Sequence, residues 1–176
     1  MRIPLTVGNF YSDRKVVFAN FFLRIPSMRV AHALSAVVDS GSPFTSISTR
    51  DALAFGIPIK TLDKETVTRL AGFTFYGKNV KGALNFRDEA NNVVKFEHDV
   101  RILVPTKLDS ATIAQVQDIP SLVGTDLMED ERLTFTYNPS ALSAYFERNP
   151  PEPPSASQAA PVIPHSQPIA QGAVTV

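Results

Sequence analysis

A chain of 176 residues with 44% hydrophobic and 19% charged content has room for one domain with an appendage at most, and excludes a fully disordered polymer. Seventeen basic and seventeen acidic residues leave no net charge, which removes the sequence-independent attraction that nucleic-acid binders show. No stretch approaches the ~18 apolar residues of a membrane span, and the absence of cysteine excludes disulfides, thiolate metal sites and cysteine nucleophiles.

The opening segment, Met1 to Phe18, is broken by Arg2, Asp13, Arg14 and Lys15 and has no apolar run of the secretory type, so a cytoplasmic location is expected. Val16 to Ile25 is aromatic and β-branched and stops at Pro26, which predicts a strand. Ala33 to Val38 predicts a second strand ending at Asp39, and Phe44 to Ile47 a third. Ser48 followed by Asp51 reads as a helix N-cap, Ala52 to Phe55 as the helix, and Gly56 as its stop. Val67 to Phe75 and Val80 to Phe86 flank Gly77 and read as paired strands. Arg87 to Asn92 is a polar turn, and Val93 to Val104 runs as a strand to Pro105. Asp109 to Gln117 predicts a helical turn, Thr125 to Glu129 another, and Arg132 to Tyr137 a closing strand. Short strands at this spacing predict an all-β sandwich or barrel with one or two short helices. From Asn149 onward seven of the chain's 14 prolines occur with one charge, Glu152, and no aromatic residue. That composition predicts a disordered, proline-rich tail over 147–176 behind a folded body of 1–146.

Most chemistries find no residues to carry them. His32, His98 and His165 are far apart, with no companion at metal-ligand spacing, and read as surface or strand histidines. No glycine-rich phosphate loop and no GxSxG turn occurs. One constellation remains. Val37-Val38-Asp39-Ser40-Gly41 sets a carboxylate directly behind an apolar strand, in a turn of small residues whose backbone N–H groups are placed to hold its oxygens. Some eighty residues later, Leu122-Val123-Gly124 leads into Thr125-Asp126-Leu127.

This pair resembles the retroviral-type, or retropepsin-like, aspartic proteases, whose signature is two hydrophobic residues and Asp-Thr/Ser-Gly, followed late in the domain by two hydrophobic residues and glycine before a short helix. The likeness runs from about Phe18 to Tyr137 and is greatest to small prokaryotic members. It implies a closed, barrel-like acid-protease fold, one lobe per chain, completed by a homodimer. It also implies an aspartic endopeptidase that needs no metal or other cofactor, whose partners are its own second copy and a peptide or protein substrate, with no nucleic acid and no membrane. Asp39, Ser40 and Gly41 match the catalytic triplet, and Leu122, Val123 and Gly124 the segment that supports it. Leu70, Ala71, Gly72 and Phe73 are the candidate flap over the substrate, with Gly77 as the rival tip and a simple bulge at Gly72 as the plainer reading. The chain departs from viral members where an acid two places after the first glycine pairs with an arginine just after the second: Pro43 and Thr125 stand there.

In such an enzyme two carboxylates roughly 3 Å apart share one proton, activate a water and polarise the scissile carbonyl. One triplet and no internal repeat give one chain only half of that pair. Three other readings stand beside it: a retropepsin-like dimerisation or peptide-binding module that does not cleave, an unrelated β-sandwich in which Asp39 is a turn residue, and a proline-rich tail that serves as a ligand for a partner domain.

Overall fold

The computed structural model describes residues 1–10 and 14–150; the tail expected from composition lies outside the described residues from 151 onward. Among the described residues ten strands and three short helices follow in chain order. They are β1 (Arg2–Asn9), β2 (Lys15–Ile25), β3 (Val30–Val38), β4 (Ser46–Ile47), α1 (Thr49–Ala54), β5 (Thr66–Leu70), β6 (Phe73–Arg87), β7 (Val93–Pro105), α2 (Ser110–Val116), β8 (Leu122–Val123), α3 (Thr125–Asp130), β9 (Leu133–Asn138) and β10 (Ser143–Arg148). A 3-10 turn over Pro26–Met28 joins β2 to β3. No helix among the described residues is long and apolar enough to cross a membrane.

The protein is mainly β, in a single sheet ordered β5-β6-β7-β4-β8-β3-β2-β1-β10-β9. A further pairing of β6 with β2, through Phe22–Asn85, Leu23–Leu84 and Arg24–Ala83, turns the middle of that sheet back on itself. The six strands β6, β7, β4, β8, β3 and β2 therefore form a closed ring, the barrel-like architecture the sequence predicts. β5 extends from β6 on one side, and β1, β10 and β9 extend from β2 on the other.

Period-two alternation fills the ring. Along β2, Val17, Ala19, Phe21, Leu23 and Ile25 point inward, while Asn20, Phe22 and Arg24 face solvent. Phe21, Phe86 and Phe96 pack in series, with ring centroids 5.0 and 5.6 Å apart. Each such fully buried ring contributes roughly 1.5–3 kcal/mol. β6 and β7 stay in register from Phe75–Pro105 to Arg87–Val93 and outrun the ring. Beyond it they bury their other face: Phe75 and Leu103 pack with Val116 of α2 and Ile119 in a second, smaller core, against which Phe44, Leu70 and Phe73 lean.

Two expectations are corrected. Gly77 is not a turn but an interior residue of β6, opposite Thr66 and Leu103. A Cβ there would sit 2.7 Å from Arg101 Cδ and from Thr66 Oγ1, so the glycine lets the Arg101 stem cross the strand. The strand predicted over Phe44 to Ile47 shrinks to Ser46–Ile47, because the backbone before it is engaged elsewhere.

Candidate active site

The site begins with the strand that carries its acid. β3 runs parallel to β8, pairing Val37 with Leu122 and Val38 with Val123. The ladder extends past both ends: the Val37 N–H donates to Ser121 O at 2.8 Å and the Asp39 N–H to Val123 O at 3.0 Å. Asp39 is thus the last residue fixed by the strand and the first of the loop. Its half-buried carboxylate accepts the Gly41 N–H at Oδ1, 2.9 Å away, and its carbonyl accepts the Ser42 N–H at 3.0 Å. Such a turn presents the carboxylate in one pose while leaving Ser40 and Gly41 at the surface.

A second chain segment locks the loop from below. The Thr125 N–H donates to Ser42 O at 2.9 Å. Thr45 is the central bridge. Its Oγ1 accepts the Gly124 N–H at 3.1 Å and donates to Asp126 Oδ1 at 2.8 Å, while its own N–H donates to Asp126 Oδ2 at 2.8 Å. Asp126 Oδ1 also accepts the Leu127 N–H at 2.8 Å, so one carboxylate holds both segments. Only glycine fits at 124: a Cβ would lie 2.4 Å from the carbonyl carbon of Phe44. Leu122 and Val123 are buried beneath the loop, at 4% and 0% exposure.

One step deeper stands His98, on the inward face of β7 with a side chain 4% exposed. Its Nε2 lies 3.0 Å from Asp126 Oδ2 and its Nδ1 3.2 Å from Asp130 Oδ2, both on α3. The Nε2 contact lacks the alignment of a hydrogen bond and becomes an ion pair when the imidazole is protonated. For His98, burial is the largest single influence and disfavours the charge; Asp126, Asp130 and Asp99 together outweigh it and raise the imidazole above its ordinary value. For Asp126, burial likewise opposes the charge first, and His98, Thr45 and the Leu127 N–H prevail, holding the carboxyl below its ordinary value.

The β5–β6 hairpin overhangs the loop. It turns at Ala71 and Gly72, whose φ angles of 50° and 83° give the left-handed pair of a tight hairpin. The bulge reading of Gly72 gives way to this turn. Leu70, Ala71 and Phe73 line a cavity of about 430 Å³ together with Asp39, Val37, Ile119 and Leu122. On the other side of Asp39 a second cavity of about 550 Å³ runs past Gly41, Phe44, Thr68, Leu70 and Arg101. Of the ten singled-out residues, Asp39, Gly41, Leu70, Ala71, Phe73 and Leu122 line the cleft that the two cavities form, whereas Ser40, Gly72, Val123 and Gly124 adjoin them in the chain without lining it.

Sequence reasoning missed Thr45 and gave His98 no role. The available signal for Thr45 and Asp126 was a hydroxyl six residues after one Asp and an acid two residues after a glycine, a pattern with no force until the two loops meet. For His98 it was an alternation that puts residue 98 on the apolar face of its strand beside Phe96 and Val100.

No family model matches the chain, and no curated protein matches it. Among solved structures the chain is similar to a retropepsin-like aspartic protease from Rickettsia conorii, with 14% sequence identity, 83% of this chain and 90% of that chain covered, and a TM-score of 0.49. A likeness that distant assigns no residue a role.

Proposed function

We propose that the protein is an aspartic endopeptidase, active as a homodimer in which two Asp39 carboxylates face each other. The observation that carries this reading is the placement of Asp39: pinned at its backbone by β8, held at one oxygen by the Gly41 N–H, and set between two cavities under a hairpin. The exposure of Ser40 and Gly41 supports it too, because a second copy reaches the loop there. The pair shares one proton, since two adjacent carboxylates cannot both ionise. The ionised member takes a proton from a water held between them, and the water oxygen attacks the scissile carbonyl carbon. The protonated member donates its proton to the carbonyl oxygen; the carboxyl that took the water's proton then passes it to the nitrogen as the C–N bond breaks, and collapse of the gem-diol to the new carboxyl returns one proton to the pair. The Leu70–Phe73 turn closes over the extended peptide, and the two cavities beside Asp39 take side chains on either side of the scissile bond.

The test is Asp39→Asn, which preserves shape and removes the acid. Cleavage of an unfolded protein substrate should fall at least about 10³-fold, the scale on which removing a group central to the reaction acts. Sedimentation should show a concentration-dependent dimer, and a structure of that dimer an interface of more than roughly 2,000 Å². Wild-type turnover by the Asn variant, or full activity from a demonstrated monomer, overturns the reading.

A further inference from the structure

We propose that His98 is a positioning residue whose protonated imidazole clamps α3 and so fixes the Thr45–Gly124 link beneath Asp39, making the geometry of the catalytic loop depend on pH. The catalytic consequence rests on the aspartic-protease reading; the clamp itself does not.

The geometry supplies a continuous path. His98 reaches Asp126 at 3.0 Å; Asp126 holds the N–H and the hydroxyl of Thr45; the Thr45 hydroxyl holds the Gly124 N–H; and the Asp39 N–H is bound to Val123, the residue before Gly124. Each step is a polar contact to a buried or half-buried partner, where a change of charge is felt more strongly than in water. The charged groups around the imidazole are mainly acids. Asp126 and Asp130 come from α3, and Asp99 follows on β7. On β6 the residue opposite is Gly82, which has no charge, and its neighbour Lys81 is turned outward to Asp99 at 2.8 Å. Arg148 of β10 lies over Phe96 and is paired with Glu131 at 2.7 Å. A protonated His98 therefore faces carboxylates, whereas a neutral one leaves Asp126 half-buried without its counter-charge.

The sign follows from the two directions. The imidazole is raised in the folded state, so its contribution is fully present below the ordinary histidine value of about 6.5 and is lost as pH rises through the raised value. The Asp126 carboxyl is depressed, so its contribution is present above the ordinary value of about 3.9 and is lost as pH falls through the depressed one. The clamp is complete between these limits. That mildly acidic window is also where a carboxylate pair retains a shared proton.

The experiment is an NMR titration of the full chain, following the His98 ring and the backbone amides of Thr45 and Gly124. In wild type both amides should move with the midpoint of the His98 ring, and that midpoint should lie above 6.5. The same movement should persist in Asp39→Asn, which removes the carboxylate of the loop above, and should vanish in folded His98→Gln. Where the protein cleaves peptide, His98→Gln should also alter the high-pH limb of the profile, while its activity at the optimum falls less. Amides that ignore the His98 titration, that move equally in His98→Gln, or that stop moving in Asp39→Asn overturn the clamp. If His98→Gln does not fold, the wild-type and Asp39→Asn titrations decide alone. A failure of Asp39→Asn to lose activity strikes only the protease reading, since the titration needs no turnover.

Discussion

The floor and the cover of the cleft face each other but are held by different physics. The floor, Asp39 to Thr45, is tied to a segment eighty residues away by hydrogen bonds that end on buried or half-buried groups. The cover, Leu70 to Phe73, is tied mainly through its own two strands, and β5 has β6 as its only strand partner among the described residues. Val67 of β5 stands 67% exposed, whereas Thr45 is 2% exposed. Buried polar networks rigidify, while exposed hairpins with few apolar contacts open at low cost. A hydrolytic site of the proposed kind needs both: a carboxylate held in one pose, and a lid that admits a polypeptide.

Damage to the floor should therefore act on the whole molecule. Gly124→Ala should be the most harmful single change, because the new methyl meets the Phe44 backbone, which cannot swing aside as a side chain tip would. The expected loss is roughly 3 kcal/mol or more in denaturant unfolding. A loss under roughly 1 kcal/mol would show that the two loops slide past each other freely. Thr45→Val comes next. It keeps the volume but removes the acceptor of the Gly124 N–H and one donor to Asp126, for an expected cost of roughly 1.5–3 kcal/mol. The floor reading requires the variant to be destabilised even in the absence of substrate.

Which parts of this arrangement were legible in advance follows from how local their causes are. The triplet at Asp39 and the glycine at 124 stood out because each is a polar break directly behind an apolar strand. Strands β2, β3 and β7, the cap at Ser48 and the helical turn from Asp109 carry their signals within a few residues: Ser48 Oγ accepts the Asp51 N–H, and in the structure Asp109 Oδ1 accepts the Thr112 N–H as a cap the sequence reading did not name. β1 and β10 were not foreseen. β1 contains Pro4 and Gly8, and β10 is six residues long and abuts the proline-rich stretch, so their pairing with each other supplies the order their sequences do not advertise. Gly77 misled because a glycine between two apolar runs signals a turn as readily as a close approach, and only the position of Arg101 distinguishes them. Phe44 and Thr45 looked like strand because their apolar, β-branched character is real, but the Thr45 N–H goes to Asp126 instead of a ladder partner.

Damage to the cover should stay local. Gly72→Ala places a side chain at φ 83°, where space is open and only the backbone conformation objects. The expected cost is about 1 kcal/mol, since left-handed backbone is strained for any L side chain. Peptide cleavage should suffer more than that loss implies, because the turn lines the cavity beside Asp39. Unchanged turnover with altered stability would make the tip a bystander.

The smallest expected effect on global stability lies at the hairpin base, and there the contrast is sharpest. Glu65 accepts from Lys78 Nζ and from the Asn79 N–H, and its own N–H donates to Gly77 O at 3.2 Å, so it bridges the start of β5 to the middle of β6. The Lys78 hydrogen bond, with help from the Asn79 N–H, lowers the Glu65 carboxyl below its ordinary value. Its contribution is consequently present above that ordinary value and is lost as pH falls through the depressed one, so the hairpin base is pinned over the upper part of the window in which the proposed His98 clamp is complete. Exposed ion pairs contribute little to global unfolding. Glu65→Gln should therefore leave the melting temperature unchanged within error, while amide hydrogen exchange from Thr66 to Thr74 accelerates and exchange at Gly124 does not. If the melting temperature falls by many degrees, the hairpin is part of the same cooperative unit as the floor, and the division drawn between them is wrong.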